Sequence, residues 1–132
     1  MTLARVCVVL ALSALSYAPV AYAEPEEPAT AEQVIDWIYA YSEYYGFSAY
    51  KAISVARCES AGFNTAVING WRRGALGEVG TFQFHPRGIW WATPQARGGY
   101  SMFSPEENVA AGVWSLAHGF GPAHWVWCWL RG

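Results

Sequence analysis

The pattern of apolar positions predicts an amphipathic helix near the start of the folded chain. Thr30 and Gln33 have the spacing of a capping box, in which the glutamine side chain reaches back to the threonine backbone. Apolar side chains then recur at helical intervals, at Val34, Ile35, Trp37, Ile38, Tyr41 and Tyr45. Gly46 is a natural stop for this helix, because glycine readily adopts the left-handed conformation that ends helices.

Two further helices are predicted, one on each side of an irregular middle segment. The first starts near Ser48 and ends at Gly62. The second is capped by Ser104, has Pro105 in its first turn, and gains a second capping box from Glu107. Its apolar face is formed by Val109, Val113, Leu116 and Ala117.

Between Gly62 and Phe103 the chain is irregular, with many glycines and with polar residues between aromatic ones. This segment is expected to contain a few short strands or single-turn helices. Helices at both ends of such a segment indicate a mainly α fold of α+β character. The 109 residues that follow position 23 support a single domain with a modest core, and the chain contains no internal repeat.

The first residues have the pattern of a secretory signal peptide. Arg5 precedes an apolar run, and Ala21 and Ala23 place small residues at the two positions that determine cleavage. The run is shorter than the ~20 residues that a membrane span needs. The predicted segments are a signal peptide at 1–23, an acidic and proline-rich exposed leader at 24–30, and the domain at 31–132. The mature protein is therefore expected to be secreted or periplasmic.

Cysteine count and charge fit an exported protein that does not bind nucleic acid. Removal of Cys7 with the signal peptide leaves Cys58 and Cys128, and two cysteines in a small exported domain most often pair. This bridge would close a loop of about 70 residues and stabilise the fold by about 4 kcal/mol; two buried free thiols are the alternative. The net charge is −2, and no basic tail or patch points to nucleic acid.

Glu59 is the leading candidate for a catalytic acid. It lies in the last turn of the second predicted helix, which is otherwise mostly apolar. The C terminus of a helix carries partial negative charge, and apolar surroundings disfavour ionisation, so both would raise the pKa of Glu59. An acid that keeps its proton near neutral pH suits the protonation of a leaving oxygen in glycosidic cleavage.

Glu78 is the only other acidic residue between Tyr44 and Pro105. It lies among glycines, where the backbone can approach a ligand closely. It is either a second catalytic group or the ion-pair partner of an arginine such as Arg72 or Arg73. The sequence leaves both interpretations open.

The chain has eight tryptophans and eight tyrosines, many for its length. Flat aromatic faces suit sugar rings, so the aromatic residues of the middle segment either line a cleft or fill the core; they are Trp71, Trp90, Trp91 and Tyr100. Trp37 and Trp114 lie on predicted helices and are expected in the core. No metal site is expected, because the histidines are far apart and lack a cluster of other ligands; they are His85, His118 and His124.

Three segments, taken in order, resemble the soluble lytic transglycosylases of the lysozyme-like superfamily. They are Glu59-Ser60 followed by GFN, GEVGTFQFHP at 77–86, and SPEENVAAGVWSLA at 104–117. In that family a Glu-Ser pair ends one helix, a Gly-x-x-Gly-hydrophobic-hydrophobic-Gln segment follows, and an Asn-hydrophobic-x-x-Gly helix comes next. The resemblance covers roughly Trp37 to Trp129. The closing W-x-W-C-W also resembles small secreted members, in which a terminal cysteine pairs with the one before the catalytic glutamate.

The resemblance implies a lysozyme-like fold and cleavage of the bond between N-acetylmuramic acid and N-acetylglucosamine in peptidoglycan. Glu59 would act as general acid and then as base, and Ser60 would orient it or contact the peptide-side sugar. Gln83 would hydrogen-bond the substrate, and Asn108 would support the cleft. No second carboxylate is needed, since the acetamido group of the substrate can assist. The expected enzyme is a monomer without a cofactor, and a secretion or conjugation apparatus is a further candidate partner.

Two positions depart from the family pattern. The family commonly carries Ala-Tyr-Asn late in the domain, with its tyrosine near the catalytic glutamate, whereas this chain has Ala123-His124-Trp125. Trp125 can fill the space at the substrate site without supplying a hydroxyl group, and Thr81 occupies a usually hydrophobic position. A hydrolytic muramidase is therefore an alternative to an anhydro-forming enzyme. A non-catalytic wall-binding module and a disulfide-stapled domain that recognises another protein are the remaining alternatives.

Overall fold

A computed structural model describes residues 27–132. The predicted signal peptide at 1–23, and residues 24–26 of the predicted leader, lie outside the described residues. The helices of the described part are α1 Ala31–Tyr45, α2 Ala49–Glu59, α3 Thr65–Ile68, a 3₁₀-helix at Ile89–Ala92, α4 Pro94–Arg97, α5 Pro105–Ala117, α6 Gly121–His124 and α7 Val126–Arg131.

Helix α1 forms as the sequence predicts. The side chain of Thr30 accepts a hydrogen bond from the N–H of Gln33, and the Gln33 side chain accepts one from the N–H of Thr30, which completes the capping box. At the other end, Gly46 adopts the left-handed conformation with φ 70°. Val34 and Ile38 are fully buried and form the face that packs into the core.

The other two predicted helices are confirmed, with differences at their ends. The side chain of Ser48 caps α2 as expected. Helix α2 ends at Glu59, however, so the chain leaves the helix before Gly62. Ser104 is the N-cap residue of α5, but the predicted capping box with Glu107 is wrong, because the Ser104 side chain makes no capping hydrogen bond.

Helices α1 and α5 form the main packed pair, and α2 contacts both α1 and α7. Helix α5 runs through the interior, and its residues 108–113 are all buried. At Gly112 a Cβ atom would come within 2.1 Å of the Phe82 ring, so the absence of a side chain allows the middle segment to pack closely on α5. Within residues 27–132 no helix is long and apolar enough to cross a membrane.

The middle segment between α3 and α5 contributes large side chains to the core, namely Val79, Phe82, Phe84, Trp90 and Met102. Among the described residues, its β structure is limited to one isolated antiparallel bridge between Val79 and Phe84. The turn between them contains left-handed residues at Gly80 and Gln83, with φ 76° and 47°, so the chain reverses before a ladder can form. The mainly α prediction is confirmed, whereas its α+β character is not observed.

Ala29 contacts the folded domain from within the predicted leader at 24–30, whereas residues 27, 28 and 30 are exposed. Ala29 is buried. Its N–H donates to the side-chain oxygen of Asn69 at 2.8 Å, and its carbonyl oxygen accepts from the Asn69 side-chain nitrogen at 3.0 Å. The two residues are 40 positions apart, so no local pattern could indicate this contact.

A disulfide joins Cys58 to Cys128, as the cysteine count predicted. It connects the last turn of α2 with α7, and the two Cα atoms are 5.5 Å apart. Lys51 adds a second connection between the same helices, because its ammonium group donates hydrogen bonds to the carbonyl oxygens of Trp129 and Gly132. The C-terminal segment is therefore fastened to α2 close to Glu59.

Reduction of the disulfide is expected to lower the free energy of unfolding by about 2–4 kcal/mol, because the unfolded chain regains the freedom of a long loop. Urea denaturation with and without a reductant measures this change. In the Cys58→Ala/Cys128→Ala variant, the control, reductant should leave the stability unchanged. Alkylation of both thiols in untreated protein, seen by intact mass, would contradict the bond.

Candidate active site

The segment that follows Glu59 has an unusual backbone. Ala61, Gly62 and Phe63 all adopt left-handed conformations, with φ 54°, 79° and 59°. For the two residues that carry a Cβ atom, this conformation costs roughly 1–2 kcal/mol each. Strain of this kind persists only where the surrounding structure holds it, and it is common at functional sites.

Ser60 holds this turn together. It is fully buried, and its hydroxyl donates a hydrogen bond to the carbonyl oxygen of Ala56 at 2.7 Å. The hydroxyl oxygen of Ser60 also accepts a hydrogen bond from the N–H of Phe63 at 3.0 Å. Both partners are backbone groups, so the structure places Ser60 beneath the site, out of reach of a ligand. This position fits the orienting role expected for Ser60 and leaves no room for the expected sugar contact.

Glu59 lines a cleft of about 350 Å³, which is within the usual size range of ligand pockets. The predicted site residues that line this cleft are Glu59, Glu78, Gln83 and Trp125. His85 and His124 lie in the same lining. Residues from α2, from the middle segment and from the C-terminal segment therefore meet at one site.

The carboxyl group of Glu59 holds its proton close to neutral pH. Burial raises the pKa of Glu59 to about 7, and the negative charge of Glu78 adds to the shift. The direction agrees with the prediction from the sequence. The influence of Glu78 required the tertiary structure, because the two carboxyl groups are 19 residues apart in the chain.

The loop that forms one wall of the cleft is fastened to α5 by Asn108. The Asn108 side chain accepts a hydrogen bond from the N–H of Phe82 at 3.0 Å, and it donates to the carbonyl oxygens of Val79 at 3.0 Å and Met102 at 2.9 Å. At Gly80 a Cβ atom would come within 2.3 Å of this amide. Asn108 is fully buried, so it supports the wall from behind instead of contacting a substrate.

Gln83 and Trp125 line the cleft in different ways. The side-chain nitrogen of Gln83 donates to the carbonyl oxygen of Gly80 at 2.8 Å, which fixes the orientation of the amide. The indole N–H of Trp125 donates to the carbonyl oxygen of Phe82 at 2.7 Å, and its ring packs edge-on against Phe82 and Phe84. Trp125 is almost fully buried, so it acts mainly as part of the core beneath the cleft.

Glu78 faces the cleft from a glycine-rich turn. Its carboxylate accepts a hydrogen bond from the N–H of Leu76 at 2.9 Å. Arg73, one of the expected ion-pair partners, places its guanidinium group 4.8 Å from the centre of the Phe103 ring. The structure therefore brings Glu78 to the same cleft as Glu59, where its charge acts on the second carboxyl group.

The sequence identified His85 and His124 only as weak metal-ligand candidates and missed their place in the cleft. His118 lies elsewhere and stacks on Trp114. Among the residues that the structure describes, no group of three or more His, Cys, Asp or Glu side chains could hold a metal ion. The departure from the lytic transglycosylase pattern at Ala123-His124-Trp125 was the one feature of the sequence that could have indicated the position of His124 in the cleft.

The aromatic residues of the middle segment divide between core and surface. Trp90 is buried and packs edge-on against Phe84, so it belongs to the core. Trp71, Trp91 and Tyr100 are all more than half exposed. These three side chains are therefore not in the core, and their exposure is compatible with ligand binding.

Comparisons of this chain with protein-family models, with curated proteins and with solved structures give no match. The chemistry of the cleft must therefore follow from its own groups. A carboxyl group with a pKa of about 7 that shares its cleft with a second carboxylate and an oriented amide suits proton transfer to a polar ligand.

The stability of Glu59→Gln relative to the wild type is expected to be greater at pH 7 and above than at pH 4. The unfolded carboxyl group ionises near its ordinary pKa of 4.5, whereas the folded one keeps its proton up to about 7. The wild-type fold therefore loses stability between these two pH values, and the uncharged amide does not. Thermal unfolding from pH 4 to pH 8 measures the difference in Tm. A difference that stays constant over this range would contradict the burial of the carboxyl group.

Proposed function

We propose that this chain is an exported enzyme that cleaves peptidoglycan glycan strands, as a lytic transglycosylase of lysozyme-like fold. One observation carries the proposal: Glu59 ends a helix, lines a cleft and has its pKa raised to about 7. The three segments that resemble lytic transglycosylases indicate which bond is cleaved, namely the one between N-acetylmuramic acid and N-acetylglucosamine. The predicted signal peptide would bring the enzyme to the compartment that contains this polymer.

In this proposal Glu59 first donates its proton to the glycosidic oxygen, and the C–O bond breaks with its electron pair leaving on that oxygen. The acetamido group of the muramic acid stabilises the positive charge that develops at C1. The Glu59 carboxylate then accepts the proton of the C6 hydroxyl, whose oxygen bonds to C1 and closes a 1,6-anhydro ring. Glu59 ends the cycle protonated, so the reaction consumes no water.

Other residues of the site have supporting roles. Gln83 hydrogen-bonds the sugar, and its own bond to the Gly80 carbonyl holds the amide in place. Ser60 positions Glu59 through the turn that follows α2. Asn108 positions the wall that carries Gln83. Trp125 lines the site from the core beneath it.

A hydrolytic muramidase is the second candidate function, because of the position of Glu78. Its carboxylate lines the same cleft as Glu59 and is held by a backbone N–H. Retaining glycosidases use two carboxyl groups ~5–5.5 Å apart, and inverting ones use a separation of ~6.5–9.5 Å that leaves room for water. In that route Glu78 would be the nucleophile or the base, and the product would have a free reducing end.

Glu59→Gln is expected to lower cleavage of purified peptidoglycan by ~10²–10⁴-fold or more, because an amide cannot donate the catalytic proton. Mass analysis of the released soluble fragments measures the rate, and circular dichroism checks the fold. Glu43→Gln, on the exposed side of α1, is the matched control and should cleave at the wild-type rate.

The pH dependence gives an independent check on the same acid. Only protonated Glu59 can donate, so the wild-type rate should fall as the pH rises through about 7. Cleavage by Glu59→Gln at the wild-type rate would exclude Glu59 as the acid. If the wild type binds peptidoglycan but does not cleave it, the protein is a non-catalytic wall-binding module.

The product is expected to carry a 1,6-anhydromuramoyl end. Glu78→Gln should then keep substantial activity, since the intramolecular route needs no second carboxylate. Mass spectrometry separates the two routes, because a hydrolysed fragment contains one more water than the anhydro form. Predominantly hydrated ends, formed directly by the enzyme and lost in Glu78→Gln, would identify a muramidase instead.

A further inference from the structure

A second depression, of about 310 Å³, lies beside the candidate cleft. Consecutive residues line the two sites in three places, at Arg73–Gly74, His85–Pro86 and Ile89–Trp90. The two depressions are therefore neighbours along three segments of the chain. The second depression is called the aromatic groove, and the side chains that matter to its chemistry are Arg73, Trp91, Tyr100 and Phe103.

Trp91 lines the aromatic groove with an exposed side chain that is held in place. Its side chain is 63% exposed, yet its indole N–H donates a hydrogen bond to the carbonyl oxygen of Pro86 at 2.8 Å. The preceding Trp90 is buried against Phe84 and anchors the 3₁₀-helix at Ile89–Ala92. An exposed ring that is already held in this way loses little freedom when a ligand stacks on it.

The aromatic groove also carries positive charge. The guanidinium group of Arg73 lies 4.8 Å from the centre of the Phe103 ring, a contact that orients the cation. Arg73 is a lining residue of the groove and is exposed. A guanidinium group binds a carboxylate through two parallel hydrogen bonds. The groove therefore fits a ligand that combines an apolar ring face with a carboxylate.

We propose that the aromatic groove binds the glycan strand beyond the cleft, with Trp91 stacked on a sugar ring and Arg73 paired with a carboxylate on the muramic acid branch. This inference rests on the proposed function, because it extends the same substrate along the groove. The carboxylate belongs either to the bare lactyl group or to the peptide attached to it. The groove selects for long strands and for acidic sugars over neutral ones.

Binding is measured by calorimetry in the Glu59→Gln background, so that the result does not depend on turnover. The probes are chitotetraose, which is neutral, and a tetrasaccharide of alternating N-acetylglucosamine and N-acetylmuramic acid, once with bare lactyl groups and once with its peptides. Trp91→Ala is expected to weaken the binding of all three by roughly 3- to 10-fold. Arg73→Gln is expected to weaken only the two acidic probes, by a similar factor.

Trp127→Ala is the matched control for Trp91→Ala. Trp127 is 73% exposed, and the Arg131 guanidinium lies 5.4 Å from its ring centre, so it is also an exposed indole beside an arginine. It lies on α7 and lines neither the candidate cleft nor the aromatic groove. Its replacement should leave the affinity for all three probes unchanged.

Several results would overturn the inference. Unchanged affinities in Trp91→Ala, or no binding of any probe to the Glu59→Gln protein, would exclude the aromatic groove as a sugar site. An equal loss for chitotetraose in Arg73→Gln would exclude the carboxylate contact. A larger loss for the peptide-bearing probe than for the bare one would identify the peptide as the source of the carboxylate, and the reverse would identify the lactyl group.

Failure of the groove and failure of the proposed function give different results. Cleavage of peptidoglycan by the wild type, together with no effect of Trp91→Ala on binding, would retain the enzyme and exclude the groove. Binding that depends on Trp91, in a wild-type protein that cleaves nothing, would retain the groove and exclude the catalysis.

Discussion

The buried amide of Asn108 holds the irregular part of this protein to its helical part. From the interior face of α5 it pairs with the backbone of Phe82, Val79 and Met102, which come from two separate stretches of the middle segment. Each of these backbone groups, left unpaired and shielded from water, would cost about 1–3 kcal/mol. Gly80 allows the loop to approach the amide, because any Cβ atom there would overlap it. The wall of the cleft therefore depends on one fully buried side chain.

Unfavourable features are concentrated around the end of α2. A half-buried carboxyl group lies there near a second negative charge, and the chain then passes through three left-handed residues. Strong local interactions surround this point: the hydrogen bonds of Ser60 hold the turn, and the disulfide at Cys58 fastens the helix to the C-terminal segment. Because these interactions fix the end of α2, the Glu59 side chain stays in surroundings that disfavour its charged form.

The negative charge of Glu78 affects the catalytic acid in both proposed routes. Its negative charge helps to raise the pKa of Glu59, so it favours a protonated acid even where it touches no substrate. In the anhydro-forming route this electrostatic effect is its whole contribution, whereas in the hydrolytic route it also reacts or activates water. The aromatic groove does not distinguish between the routes, because it would hold the strand at a distance from the bond that is cut.

The sequence by itself determined the helices α1, α2 and α5, since caps, glycine stops and apolar periodicity are local signals. It also indicated the pairing of Cys58 with Cys128 and the direction of the pKa shift at Glu59, which follow from the cysteine count and from a helix end in an apolar stretch.

Only the tertiary structure decided which residues of the middle segment face the core and which face the cleft, because a chain without periodicity has no face that can be assigned in advance. Trp90 and Trp91 are adjacent and equally apolar, yet one is buried and the other is exposed. In the same way, the packing of Ala29 on Asn69 and the meeting of Glu78 with Glu59 join positions distant in the chain, and such contacts exist only after the chain has folded.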